Sequence, residues 1–210
     1  MSVEDLFIKQ VRGPVVGGTG SASPLTASYD GAQRVVEAHA RYMEATYRGN
    51  VFFAASQAAV TFSAGLTTTT AVGLVLSNPI GSNKLLVPMQ VEFVNTGVIV
   101  GVAGLSVMPY NATNVTHTTA LTIANAYVSG GNTPVGKADQ GAALPVAPVA
   151  WKFLYSVLST NTAAISQATV YDLNGSLILP AGTACAVLAS AAITGFASIT
   201  WEEIPVASAI

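Results

Sequence analysis

Lys84-Leu85-Leu86-Val87-Pro88-Met89-Gln90-Val91-Glu92-Phe93-Val94-Asn95, followed by Thr96-Gly97 and a second apolar run over 98–108, is the stretch that decides the fold. Two runs rich in Val, Leu and Phe flank Asn95-Thr96-Gly97, and that is turn chemistry between strands. Everything after Asn50 repeats the theme. Candidate strands lie at 51–62, 68–76, 84–95, 98–108, 153–158, 168–173, 176–179, 185–192 and 196–204. Between them stand Asn78-Pro79-Ile80-Gly81-Ser82-Asn83, Asp172-Leu173-Asn174-Gly175, Pro180-Ala181-Gly182 and Ile193-Thr194-Gly195. Short strands without strong helical stretches imply a mainly β fold, an antiparallel β-sandwich and most economically a jelly roll. Residues 109–150 pattern poorly. Two possible internal elements, 119–127 and 144–151, sit among prolines and Ser129-Gly130-Gly131-Asn132, so the stretch reads as a long excursion between strands.

Composition narrows the functions. The chain has 210 residues, enough for one generous domain or one domain with an appendage. Hydrophobic residues make up 51% and charged residues only 9%, against roughly 25% charged in ordinary proteins. A net charge of -2 leaves too little positive surface to track phosphates, so nucleic acid is not an expected partner. The mean hydropathy of +0.53 raises the question of a membrane. The uncharged stretches 51–83, 93–136 and 173–201 all carry Thr, Ser, Asn, Gly or Pro every few residues. None supplies the roughly 20 mostly apolar residues of a spanning helix. The aromatic residues do not band as in a lipid-facing barrel, and Glu4 and Asp5 stand where a signal peptide needs basic residues. The expectation is a protein made in a cytosol, without membrane contact. A surface this poor in charge resembles the core of a protein–protein interface, which points to a subunit of an assembly.

Ten of the eighteen charged residues fall in the first 50 positions, so the composition breaks near Gly49-Asn50. Residues 1–29, with Gly13-Pro14, Gly17-Gly18-Thr19-Gly20 and Ser21-Ala22-Ser23-Pro24, read as an extended arm. It is either a loose terminus or a segment that orders on a neighbouring subunit. Residues 30–49 read as a helix. Asp30 and Gln33 form a capping box and Gly49 closes the other end. Arg34, Glu37, Arg41, Glu44 and Arg48 share one face, with Glu37→Arg41 and Glu44→Arg48 as favourable i,i+4 pairs. Val35, Ala38, Tyr42 and Ala45 form an a/d-like stripe beside them. Such a helix either lies on its own domain or clusters with symmetric copies. The β domain occupies 50–210.

Chemistry is sparse. His39 and His117 have no second imidazole at metal-ligand spacing, and His117 reads as a loop residue. No nucleophile elbow or phosphate loop is present. Glu202-Glu203 point to opposite faces of a strand and cannot share a substrate. Asp172-x-Asn174-Gly175 is a turn rather than a calcium loop. Asn111, Asn114 and Asn174 head glycosylation patterns that mean nothing without secretion. Cys185, the lone cysteine, excludes an internal disulfide and reads as a buried thiol. No cofactor or metal is expected, and no catalytic residue is assigned.

The segment ending Arg41-Tyr42-Met43-Glu44-Ala45-Thr46-Tyr47-Arg48-Gly49-Asn50-Val51-Phe52 resembles a recurring stretch of small tailed-phage virion proteins. Further matches are Leu76-Ser77-Asn78-Pro79-Ile80-Gly81-Ser82, Val115-Thr116-His117-Thr118-Thr119 and Gly195-Phe196-Ala197-Ser198-Ile199-Thr200-Trp201-Glu202-Glu203-Ile204-Pro205. The resemblance covers most of 31–206 and implies a non-enzymatic virion structural protein, assembled in the bacterial cytoplasm and retained in the virion. By analogy with jelly-roll cement proteins, the expectation is a capsid cement or decoration subunit. It would form a homo-oligomer, a dimer or trimer, and contact the major capsid protein or another virion protein. Arg34, Val35, Glu37, Arg41, Tyr42, Glu44, Arg48, Phe52 and Phe53 are the expected assembly interface, with arginines pairing across the contact and aromatics as anchors. The alternative is a tail-associated receptor- or carbohydrate-binding module using loop 109–150 and Trp151 or Trp201.

Overall fold

The computed structural model describes residues 42–97, 101–128, 130–156 and 168–206. The arm, His39 and the first part of the expected helix, with Arg34, Val35, Glu37 and Arg41, lie outside the described residues. Within them one short helix, α1 (Met43–Tyr47), precedes twelve strands. These are β1 (Val51–Ala55), β2 (Val60–Thr61), β3 (Thr70–Asn78), β4 (Lys84–Asn95), β5 (Val102–Met108) and β6 (Thr116–Ala120). They continue with β7 (Ile123–Asn125), β8 (Lys137–Ala143), β9 (Val149–Ser156), β10 (Ala168–Asp172), β11 (Thr183–Ala189) and β12 (Thr194–Pro205).

The strands form two antiparallel sheets. Sheet I runs β10-β4-β12-β1-β7, with β2 also on β12, and sheet II runs β6-β8-β3-β11-β5-β9. Setting aside β2, β6, β7 and β8 leaves two four-stranded sheets. Each successive strand then lands on the opposite sheet, except at the step from β5 to β9, and the first strand lies beside the last. That winding is a jelly roll.

The region between β5 and β9 departs from the sequence reading. Rather than an excursion with two possible elements, 109–150 contributes four strands: β7 and the start of β9 fall within the possible elements 119–127 and 144–151, while β8 and most of β6 were not expected. β8 pairs with β3 and β6 with β8, while β7 pairs with β1 in the other sheet. Only Leu121 and Thr122 separate β6 from β7, so the chain passes between sheets and closes one lateral side of the sandwich. On the other side β9 and β10 are the edge strands. Residues 176–179, expected as a strand, make only an isolated bridge between Leu179 and Leu86.

Burial follows from the layers. Between the sheets pack Phe52, Phe62, Phe93, Leu76, Ile199 and Trp201, with the Phe62 and Phe93 rings edge-on at 5.3 Å. A second apolar cluster lies on the outer face of sheet II. Ala71, Val75, Ala142, Ala184, Ala186 and Leu188 form its floor, and Leu66, Val115, Leu144 and Val146 from connecting segments cover it. The small floor residues let those segments approach closely. Ser106 fixes one of them by donating its Oγ hydrogen to the Leu66 carbonyl at 2.6 Å. β11 is therefore buried along its whole length, on both faces. Gly73 interrupts β3 at a register shift with φ +147, where a side chain would run into the Phe62 ring and the Val187 carbonyl.

Candidate functional site

Of the expected assembly helix, only the part from Tyr42 onward lies among the described residues. Tyr42, the residue before α1, adopts a left-handed conformation (φ 74), so α1 itself begins at Met43. From there on the local chemistry holds. Arg48 donates to Glu44 at 2.5 Å, the i,i+4 pair read from sequence, and Gly49 closes the helix with φ +70. Both charged side chains are more than half in solvent or close to it, at 50% for Arg48 and 70% for Glu44. The pair therefore contributes little to stability.

Phe52 is a correction. Its ring is wholly buried between the sheets, 6.0 Å from Trp201, so it cannot anchor a neighbouring subunit. The alternation of a strand explains this, because Phe52 points inward and Phe53 outward. Phe53 is 42% exposed on the outer face of sheet I, opposite Thr200 on β12 and Ala124 on β7.

The sequence reading missed how this corner is fastened. Asn125 donates its Nδ2 hydrogen to the Gly49 carbonyl at 2.8 Å, and the Asn132 backbone N–H donates to the same carbonyl at 3.1 Å. Asn132 Nδ2 also donates to Asn50 Oδ1 at 2.7 Å. Tyr47 packs against Tyr127 with ring centroids 6.1 Å apart. Two asparagines of the inserted region thus hold the helix turn. The only signal in the sequence was the Gly130-Gly131 pair before Asn132; nothing marked Asn125.

The outer face of sheet I differs from that of sheet II. Register and burial place Leu85, Val87, Val94, Phe196 and Ile204 outward, half-buried or exposed, beside Phe53 and Val170. The acids here are held by neutral partners. Ser198 Oγ donates to Glu92 at 2.9 Å and Gln90 Nε2 to Asp172 at 3.0 Å. Burial pushes the Glu202 carboxyl above its ordinary range, partly opposed by the Arg48 guanidinium. The result is a broad, largely neutral, partly apolar face.

Glu202 and Glu203 do point to opposite sides, as expected, and Glu203 does structural work. It is fully buried and accepts from the backbone N–H groups of Val135 at 3.0 Å and Gly136 at 2.9 Å. The Trp201 indole N–H adds a longer contact at 3.4 Å. Trp201 is fully buried, so it cannot line a sugar site; Trp151 is half-buried, with the Lys152 ammonium 5.2 Å from its ring centre.

His117 is the second correction, since it sits in β6 and not in a loop. Its Nδ1 lies 2.6 Å from Oδ2 of the buried Asp139. Burial raises the Asp139 carboxyl above its ordinary range, against the lowering effects of His117 and Lys137. Cys185 is buried, and its thiol is pushed up to about 12 by desolvation. Asn174 and Gly175 both take positive φ, as the turn reading requires. Among the described residues no group of three metal-ligating side chains is gathered, and no helix is long and apolar enough to cross a membrane. No family model matches the chain, and no curated protein or solved structure is significantly similar to it.

Proposed function

We propose that this chain is a non-enzymatic virion structural protein, a capsid cement or decoration subunit that acts as a dimer or trimer on a phage head. The observation that carries the reading is the unequal treatment of the two sheet faces. The middle of sheet II, over β8, β3, β11 and β5, is covered by the chain's own segments, whereas the middle of sheet I presents Phe53, Val94 and Phe196 outward with few ionised groups. Exposed faces of this kind mark contact surfaces, and closed symmetry lets one such face be hidden in every copy. The jelly-roll winding, the low charge and the resemblance to virion proteins support the same reading, the winding by analogy of fold only. Glu44 and Arg48 would border the contact, and Phe53 replaces Phe52 as its aromatic anchor.

Light scattering on the purified full chain, with copy number from gel densitometry of purified particles, tests this. A dimer or trimer present at on the order of hundreds of copies per particle is the expected result. A monomer at all concentrations that never attaches to particles would overturn it, and a few copies with loss of adsorption on removal would favour the tail-associated module.

A further inference from the structure

The few ionised side chains on the outer face of sheet I are nearly all of one sign. Register places Glu92 of β4, Asp172 of β10 and Glu202 of β12 on that face, since Val91, Phe93 and Trp201 beside them point into the core. The Arg48 guanidinium acts on Glu202, but it already pairs with Glu44. Lys84 stands at the end of β4 opposite Pro205, and Lys137 and Lys152 belong to sheet II. Among the described residues four carboxylates thus stand against one guanidinium on and beside this face.

A contact between this face and the same face of a second copy sets like charge against like. The second copy brings no spare cation, so each carboxylate must keep its water or lose its charge. Position decides which. Asp172 is exposed on the edge strand β10 and accepts from Gln90, so it stays wet. Glu202 has Arg48 to offset its burial. Glu92 has neither escape. β4 adjoins β12, the middle strand of the sheet, and the Glu92 carboxylate accepts from Ser198 Oγ at 2.9 Å. The residues facing it are Val170 on β10, Ser198 on β12 and, one strand further, Ala55 on β1, all uncharged. With Ala55, Val94, Phe196 and Ser198 it lines a depression of about 90 Å³. Covering that depression takes the carboxylate out of water among apolar groups, which favours its protonated form.

Resting on the assembly reading above, we propose that face-to-face association through sheet I is proton-linked, with Glu92 as the group that takes up a proton from solvent. Copies associate more tightly as the pH falls toward the carboxylate range, and the contact loosens as Glu92 ionises. By linkage, a carboxyl more readily protonated in the oligomer than in the free copy favours the oligomer at low pH. That contribution is lost as the pH rises through the value it takes in the oligomer.

Sedimentation of the full chain at constant ionic strength, from about pH 8 to about pH 5, tests this. The dissociation constant should fall at least about tenfold over that range, because each contact covers two Glu92 carboxyls. Glu92→Gln should tighten the oligomer at about pH 8 by about tenfold and remove most of the pH dependence. Asp172→Asn and Asp139→Asn, which neutralise the wet edge carboxyl and a buried carboxyl of sheet II, should leave that dependence in place. A dissociation constant that stays level or rises on acidification, or full pH dependence in Glu92→Gln, overturns the proposal and leaves the assembly reading standing. A monomer at every pH overturns that reading and the proposal with it.

Discussion

Removing the Glu203 carboxylate should loosen the inserted region from the sandwich, and the size of the effect follows from its partners. Both carboxylate oxygens lie within reach of the Val135 N–H, at 3.0 and 3.1 Å, and Oε1 also accepts from Gly136 at 2.9 Å and from the Trp201 indole at 3.4 Å. Gly136 has no room for a side chain, because a Cβ there would meet Leu86 at 2.9 Å and Trp201 at 3.2 Å. Glu203→Ala orphans the buried Gly136 N–H, the half-buried Val135 N–H and the buried indole donor, and each costs up to about 1–3 kcal/mol when left unmet. The relief of a buried charge offsets part of that, so the expected loss is about 3 kcal/mol. For a chain of this size that lowers the melting temperature by about 6–12 °C. Glu203→Gln keeps an acceptor oxygen for the main-chain groups and should lose only about 1 kcal/mol. Urea denaturation measures the totals, and native-state hydrogen exchange locates them, with the Val135 and Gly136 amides exchanging faster in the alanine variant. An alanine variant within about 1 kcal/mol of wild type, with both amides still protected, refutes the reasoning.

Four further outcomes follow from the same structure. The Asp139 carboxyl is raised from 3.8 by burial, so the folded chain holds this proton more tightly than the unfolded one. Its stabilising contribution is present below that value and is lost as pH rises through the raised one. Urea midpoints across pH should thus shift in favour of Asp139→Asn as pH rises, and a shift the other way rejects the assignment. Cys185, pushed up to about 12, should resist a thiol reagent at neutral pH until the protein unfolds, so labelling faster than unfolding would place the thiol elsewhere. Gly73→Ala should cost about 2–3 kcal/mol, read by thermal melting, because the new methyl meets the Phe62 ring and the Val187 carbonyl. Phe53→Lys should change stability by no more than about 0.5 kcal/mol while breaking the oligomer in light scattering, and an intact oligomer would move the contact away from sheet I.

The main strands were legible because their burial is written in the chain locally. β4 and β12 bury alternate residues along most of their length, and each has turn residues at its ends. The inserted strands had no such record. β6 is Thr-His-Thr-Thr-Ala and exposed throughout, and β7 has three residues. β8, Lys-Ala-Asp-Gln-Gly-Ala-Ala, contains no β-branched residue, because its small side chains lie beneath covering segments. Their strand character comes from pairing with β3 and β1, which no window of sequence displays. Tyr42 failed for a related reason. The heptad-like spacing continues through it, but its left-handed backbone places it outside α1, which begins at Met43. The His117–Asp139 pair was invisible because 22 positions separate two residues that a strand pairing brings to 2.6 Å. Glu203 was correctly placed on the opposite face from Glu202, but its partners lie 67 and 68 residues away.

The covered middle of sheet II also changes what the low charge content means. A chain with one core and two wet faces needs polar residues on every second strand position. Here β11 is buried on both faces, and Ala184, Ala186 and Leu188 face the chain's own covering segments where charged residues would otherwise stand. Part of the apolar excess is therefore satisfied within one copy and calls for no neighbour. What remains is local, namely the sheet I face and the β9 and β10 edges, which pair with no further strand among the described residues and where Val149, Phe153 and Val170 are each more than half exposed. An edge strand with exposed apolar side chains is a template for pairing, and bulges such as the two register shifts between β5 and β9 discourage it. The β9 edge is thus defended against open-ended addition while the flat sheet I face is not. A closed oligomer built face to face through sheet I fits that distribution better than a chain of edge-joined sheets.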